Sequence, residues 1–115
     1  MVRKRGPSLV ERRQFFRIVV DRMGYVERDG ATVPCQVINL SQKGFKLVVH
    51  GTVSSGDVLH LQFRLGKEDL ISCTVQVTYV QPPVLGAVII EISGHYQTKL
   101  SRFVDEVNVL TMTGF

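Results

Sequence analysis

Residues 59–65, Leu-His-Leu-Gln-Phe-Arg-Leu, alternate strictly between apolar and polar side chains. A period of two is typical of a β-strand with one buried face, so the Leu and Phe residues are predicted to point inward. Turn-forming residues flank the stretch, with Ser-Ser-Gly-Asp at 54–57 before it and Gly-Lys-Glu-Asp at 66–69 after it. The stretch therefore predicts a short strand between two tight connections, which is the repeating unit of an all-β fold.

The same pattern extends in both directions along the chain. A first strand begins at Ile18, is apolar on both parities and contains Gly24; the pair Asp29-Gly30 then predicts a hairpin turn. Later, Gln81-Pro82-Pro83 breaks a strand and a nearly all-apolar segment, 85–92, follows. The other predicted inward sets are Val33, Cys35 and Val37; Phe45, Leu47 and Val49; and Ile71, Cys73, Val75, Val77 and Tyr79.

The hydrophobic period changes after Ser93-Gly94. Apolar residues then recur at close to 3.6-residue spacing, which predicts one amphipathic helix over about residues 95–110 that could cap a barrel end or pair with a partner. The apolar stripe comprises Tyr96, Leu100, Phe103, Val104, Val107 and Leu110 or Thr111. Six short strands predict an antiparallel barrel over about residues 17–93, because closing a small sheet removes its exposed edges. We expect one domain, 11–110, between tails at 1–10 and 111–115.

Composition excludes several classes of protein. The chain has 115 residues, and no apolar run approaches the ~20 residues of a membrane span, nor does a signal-peptide core follow the basic start. A cytoplasmic protein is the default expectation. Cys35 and Cys73 fall within strand patterns, and the three histidines are scattered, so neither a disulfide nor a metal site is predicted. No catalytic arrangement is present, and we expect neither an enzyme nor a bound cofactor.

The net charge of +4 is unevenly distributed along the chain. Residues 1–17 carry +5, whereas residues 18–115 carry −1. A general nucleic-acid binder would spread basic charge over a face of the folded body. A local basic cluster instead favours a small anionic ligand, and binding to DNA or RNA is not expected.

Two short motifs could supply such a site. The first is Arg13-x-x-x-Arg17, preceded by Arg12, and the second is Asn39-x-Ser41-x-x-Gly44, in the turn between the second and third strands. Arginine's planar fork can bind a phosphate or a guanine edge through two parallel hydrogen bonds. Either motif alone is weak evidence. The arginines could be a solvated leader, and the Asn and Ser could be turn formers that bond to their own backbone.

Both motifs in this order, about 22 residues apart and followed by four more strands and a helix, resemble the PilZ domain family of bacterial cyclic di-GMP receptors. The resemblance runs from Glu11 to about Leu110. It implies an all-β, six-stranded antiparallel (split) barrel with a flexible basic N-terminal arm and one C-terminal α-helix. It also implies a sensor that closes its arm over cyclic di-GMP and signals to an unidentified partner protein.

The resemblance assigns a role to each motif residue. Arg13 and Arg17 match the two arm arginines, and Arg12 matches an extra arginine that goes with two stacked ligand molecules per protomer. Asn39 stands where many members have Asp, while Ser41 would offer a hydroxyl to a base. Gly44 would allow either a positive φ or a close backbone approach. Leu85 departs from the family, since it precedes Gly86 where some members place a base-stacking aromatic residue.

Two other functions remain open at this stage. The first is a PilZ-fold adaptor that binds no nucleotide and acts through protein contacts alone; members of that kind usually lack one or both motifs. The second is a barrel that binds single-stranded nucleic acid. That function needs exposed aromatic residues on a strand face, and the outward positions here are mostly Thr, Gln, Arg and His.

Overall fold

The computed structural model describes residues 17–67 and 69–113, with side chains described as far as Val107. The predicted arm arginines Arg12 and Arg13 lie outside this range. Six strands are followed by one helix, which confirms the predicted order of elements. They are β1 (Ile18–Arg28), β2 (Ala31–Leu40), β3 (Gly44–Val49), β4 (Val58–Arg64), β5 (Leu70–Gln81), β6 (Val84–Ile92) and α1 (Gly94–Thr113).

The strands form a closed antiparallel barrel in the order β1-β2-β3-β6-β5-β4. Pairing of β1 with β4 closes the barrel through the register Gly24↔Phe63 to Glu27↔His60. At Gly24 a Cβ atom would lie 2.7 Å from Phe63 Cβ, so the absent side chain lets the two strands approach. Closure of the barrel pairs the backbone N–H and C=O groups that an open sheet edge would expose. The sequence pattern predicted this closure.

The hairpin between β1 and β2 has the predicted geometry. Asp29 and Gly30 have φ values of 53° and 83°. Positive φ at both central residues defines a type I′ turn, whose twist matches that of the two flanking strands. Farther along β2, pairing with β3 begins at Cys35↔Val49, so Pro34 pairs with β1 alone and its missing N–H disturbs no second ladder.

Alternation along the strands builds the core as predicted, with two exceptions. Phe45 and Phe63 meet inside the barrel edge to face, with ring centroids 5.3 Å apart. On β1, which is apolar on both parities, the outward residues Val19 and Met23 are exposed, because no element among the described residues covers that face. On β5 the predicted inward position of Tyr79 is wrong, because the register with β6 shifts between Val77 and Tyr79 and turns the ring outward.

Helix α1 packs the predicted apolar stripe on the barrel as far as Val107, mainly on β5. The side chains of Leu110 and Thr111, which the prediction also included, lie outside the described ones. Leu100 and Val104 are buried in the core, and Tyr96, Phe103 and Val107 are partly buried against it. The helix continues three residues beyond the predicted end near residue 110. In the part of the chain that the structure describes, no helix combines the length and apolarity needed to cross a membrane.

The two thiols provide a test of the core. Burial raises the pKa of Cys35 to about 11 and that of Cys73 to about 12. Because the thiolate is the reactive form, we expect neither cysteine to react with iodoacetamide until the protein unfolds.

Unfolded thiols lose their protons near pH ~8.5 while the folded thiols retain them, so the free energy of unfolding should fall as pH rises above that value. Alkylation followed by mass spectrometry, and denaturant titrations at neutral pH and about pH 10, check both expectations; rapid labelling of the native protein would contradict the buried positions.

Candidate ligand-binding site

The register between β1 and β2 brings Arg17, the last residue of the arm motif, to the end of the barrel that carries the Asn-x-Ser-x-x-Gly turn. Ile18 is paired with Leu40, and Val19 is paired with Asn39. Continuing this antiparallel register by one residue places Arg17 level with Ser41. Arg17 is exposed. Arg17, the last arginine of the arm motif, therefore lies immediately before β1 and beside the Asn-x-Ser-x-x-Gly turn.

Ser41 organises the turn between β2 and β3. Its Oγ accepts hydrogen bonds from the amides of Lys43, at 3.1 Å, and Gly44, at 3.2 Å. Its own amide donates to the carbonyl of Gly44 at 2.9 Å, and the residue is 7% exposed. Ser41 is thus a turn former, as one interpretation of the sequence held. Its hydroxyl hydrogen is still a donor that a ligand could use.

Asn39 has an unusual environment within the same turn region. Its side-chain Oδ1 is buried and has no hydrogen-bond partner among the described residues. Leaving a buried acceptor unpaired costs about 1–3 kcal/mol, so native structures seldom contain one without a reason. The turn therefore offers a shielded acceptor that would pair with a donor from outside the described chain.

Gly44 is required by the approach of two strands. It does not lie in the left-handed φ region, and a Cβ atom there would overlap the carbonyl oxygen of Ala87 and lie 3.1 Å from Val88 Cα. Of the two explanations that the sequence left open, the structure supports close backbone approach. The amide of Ile89 also donates to the carbonyl of Lys43 at 2.8 Å, which ties the turn to β6.

A row of paired residues crosses the outer surface from this turn. The register joins Val19 to Asn39, Asn39 to Lys46, Lys46 to Gly86, and Gly86 to Tyr79. Lys46 lies between the buried residues Phe45 and Leu47, so it projects outward. With Arg17 and Lys43 nearby, the row combines positive charge with the shielded acceptor of Asn39. This combination suits an anionic ligand that also carries N–H donors.

Tyr79 is the residue of this row that the sequence analysis missed. It is 39% exposed, and its ring occupies the space above Gly86. The sequence contained a signal for this residue, because a hairpin that turns at Pro82-Pro83 pairs Tyr79 directly with Gly86. Leu85, which the sequence analysis compared with a stacking aromatic, is only 2% exposed and belongs to the core. The exposed aromatic ring at this position is therefore that of Tyr79 on β5, whereas Leu85 on β6 is buried.

Comparison with protein families gives one match. The family model for the PilZ domain matches residues 11–106, which is most of the chain. No sequence among the curated proteins matches. The matched range includes the arm motif and all six strands.

Three solved structures with the same fold come from two proteins. The Bacillus subtilis inhibitor of motility (MotI/DgrA) has a TM-score of 0.70 and 21% identity, over 85% of this chain and 51% of that one. Escherichia coli YcgR in complex with c-di-GMP has a TM-score of 0.72 and 16% identity, over 88% of this chain and 48% of that one. The PilZ domain of YcgR with c-di-GMP has a TM-score of 0.68 and 15% identity, over 90% and 98%. The chain thus spans about half the length of the first two proteins, and at these identities the likeness shows a shared fold.

Proposed function

Because the chain belongs to the PilZ domain family, we propose that it is a non-catalytic receptor for cyclic di-GMP whose N-terminal arm closes over the ligand. The observation that carries the proposal is the β1–β2 register, which brings Arg17, at the C-terminal end of the arm, beside the Asn-x-Ser-x-x-Gly turn. The two motifs are far apart in sequence, and each is weak evidence alone. The position of Arg17 beside the turn supports a shared ligand.

The turn and the arm would contribute different interactions. Guanine presents N–H donors on its Watson–Crick edge, and the buried Oδ1 of Asn39 is an acceptor without a partner among the described residues. Ser41 would add its hydroxyl hydrogen to the same base. Arg13 and Arg17 would bind the phosphates and the Hoogsteen edge of guanine, where a guanidinium meets O6 and N7. Arg12 would extend this contact to a second, stacked ligand molecule.

Energetics explains why several arginines are needed. Ordering a segment of chain costs about 1–2 kcal/mol of backbone entropy per residue fixed. Hydrogen bonds to charged groups each return about 1.5–3 kcal/mol. Closure is favourable only when several such bonds form together, so the arm would dock with ligand and detach without it. A docked arm changes the surface presented to a partner protein, which is how the signal would be passed on.

Isothermal titration calorimetry with cyclic di-GMP tests the proposal directly. We expect saturable binding with a stoichiometry of two ligand molecules per protomer, and no comparable binding of cyclic di-AMP, whose adenines lack the O6 acceptor and the N1–H donor. A stoichiometry of one would remove the proposed role of Arg12 but leave the receptor. Absence of heat and of chemical-shift changes at excess ligand would favour the nucleotide-independent adaptor.

Asn39→Ala should separate ligand binding from stability. The substitution removes a buried acceptor that has no partner among the described residues, so the melting temperature should not fall appreciably. Affinity for cyclic di-GMP should fall about 5- to 10-fold or more, because one hydrogen bond of ~1 kcal/mol or more is lost. Asn39→Asp keeps an acceptor at the position and should retain binding. Unchanged affinity in Asn39→Ala would place the ligand elsewhere.

A further inference from the structure

We propose that two β-bulges, on the neighbouring strands β1 and β2, turn the motif residues toward a common ligand, and that Asp21 and Gln36 are positioning residues that fix the bulge on β1. The inference rests on the proposed function, because it assigns further residues to the same site. Neither residue belongs to a sequence motif. Failure of this inference and failure of the receptor give different results in calorimetry.

The bulge on β2 consists of one extra residue, Ile38, relative to β3. Val37 and Asn39 are two positions apart on β2, but their partners on β3 are the adjacent residues Leu47 and Lys46. Inward side chains on β2 occupy alternate positions up to Val37, so alternation alone would turn Asn39 into the core. The extra residue exchanges the two faces beyond it. It therefore places Asn39 in the outer row beside Lys46.

The bulge on β1 lies opposite the same point. Here two residues of β1, 20–21, face the single residue Ile38 of β2. Two residues against one is the arrangement of a β-bulge, which is common next to functional sites because it redirects a side chain. An unbroken register would place Arg17 level with Gln42. With the bulge, Arg17 is level with Ser41 instead.

The two bulges compensate for each other. Ile38 exchanges the faces of β2, and the extra residue on β1 keeps the outward side chains of the two strands opposite one another. The exposed Val19 is thus paired with Asn39. The buried Ile18 is likewise paired with the buried Leu40. The start of β1 and the end of β2 therefore present their outward side chains on one surface, and slippage of either strand by one residue would end this match.

Side-chain hydrogen bonds fix the bulge on β1. Nε2 of Gln36 donates to Oδ1 of Asp21 at 2.7 Å, which ties the bulge to β2. Nη1 of Arg22 donates to the Asp21 carbonyl at 3.1 Å, and its Nε donates to the Leu65 carbonyl at 2.9 Å. A bulge disrupts the backbone ladder locally, so side chains must supply the missing contacts. Asp21 receives one such bond at its carboxylate and another at its carbonyl.

Asp21→Ala and Asp21→Asn form a matched pair for calorimetry with cyclic di-GMP. Both variants remove the same negative charge, but only Asp21→Ala removes the acceptor for Gln36. Asp21→Ala should weaken binding about 3- to 10-fold, because the loosened bulge no longer fixes Arg17. Asp21→Asn should bind at least as tightly as the original chain, since its amide keeps an acceptor oxygen and no longer repels an anion. Tighter binding by both variants would mean that only the charge matters, and the positioning role would be wrong.

Double variants test whether Asp21 acts through Gln36 and Arg17. Gln36→Ala removes the donor of the same hydrogen bond, so it should weaken binding as Asp21→Ala does, and the double variant should be no weaker than either alone. In an Arg17→Ala background, Asp21→Ala should weaken binding less than about two-fold, because the arginine that it positions is already absent. Losses that multiply in either double variant would overturn the positioning role.

Nuclear magnetic resonance tests the bulge without ligand. Cross-strand nuclear Overhauser effects in the original chain should link Val19 to Asn39, and both residues of 20–21 to Ile38. Amide hydrogen exchange at residues 18–22 should be faster in Asp21→Ala than in Asp21→Asn, because the bulge opens more readily without its hydrogen bond. Equal exchange in the two variants, or an unbroken register in the original chain, would contradict the proposal.

The outcomes separate the two proposals. If the original chain binds cyclic di-GMP and Asp21→Ala binds equally well, the positioning role is wrong and the receptor stands. If Asp21→Ala binds more weakly while Asp21→Asn does not, both proposals are supported. If the original chain does not bind at all, the receptor fails and the positioning role fails with it.

Discussion

Replacing Arg17 by Ala should weaken binding of cyclic di-GMP by about 100-fold or more while leaving the free protein as stable as before. The affinity estimate follows from two charge-assisted hydrogen bonds of about 1.5–3 kcal/mol each, since every 1.4 kcal/mol is a factor of ten. The stability estimate follows from exposure. The side chain makes no hydrogen bond or ion pair within residues 17–67 and 69–113, so the free protein loses neither kind of interaction there.

Arg102→Ala is the matched control for this experiment. Arg102 is also exposed and carries the same charge, but it lies on α1 beside Asp105 and Glu106. If the loss of affinity came only from lowering the net charge, the two variants would behave alike. We expect Arg102→Ala to bind normally. Arg17→Lys, which keeps the charge and loses the planar fork, should fall between the original chain and Arg17→Ala.

Thermal unfolding decides between ligand binding and a structural role for the arm motif. A large drop in the melting temperature of Arg17→Ala, without ligand, would mean that the arginine supports the barrel. Normal affinity in that variant would remove Arg17 from the site. Arg13→Ala is expected to behave like Arg17→Ala, and this expectation rests on the sequence motif because Arg13 lies outside the described residues.

Most of the barrel could be predicted from local patterns. The alternation in 59–65 and the turn residues around it determine a strand and its inward face without knowledge of any neighbour. The pair Asp29-Gly30 determines the first hairpin, because few other dipeptides tolerate positive φ at both positions. The change of period after Ser93-Gly94 likewise predicts the helix.

The features that local patterns missed depend on pairing between distant strands. Tyr79 continues an inward alternation on β5, and only the register shift against β6 turns it outward. Gly44 is explained by the approach of β6, a partner that is more than 40 residues away in sequence. The buried acceptor of Asn39, which has no partner among the described residues, is a property of the folded chain and leaves no local pattern in the sequence. The candidate site therefore comes partly from motifs and partly from topology.

Gly44→Ala should produce the largest loss of stability among the substitutions in the candidate site. Its Cβ would overlap the carbonyl oxygen of Ala87, which is backbone and cannot rotate away, so β3 and β6 must separate locally. Overpacking of this kind costs about 1–3 kcal/mol. In a domain of this size each kcal/mol lowers the melting temperature by about 4–8 °C. Gly51→Ala is the matched control, because a Cβ there meets nothing within 4 Å, and removing a glycine from an unstrained position tends to stabilise by about 0.4–1 kcal/mol.

The pair of glycine variants also tests why the motif ends in glycine. If Gly44 served the ligand alone, Gly44→Ala would lose affinity for cyclic di-GMP and keep its melting temperature. The structure instead predicts that the loss of stability comes first and that the loss of affinity follows from it. The turn is tied to β6 through the Lys43 carbonyl, so it moves when the strands separate. The variant should unfold at a lower temperature first, and its folded fraction should bind weakly because Asn39 and Ser41 have shifted with the turn. A melting temperature equal to that of Gly51→Ala would contradict the close-approach explanation and make Gly44 a ligand contact.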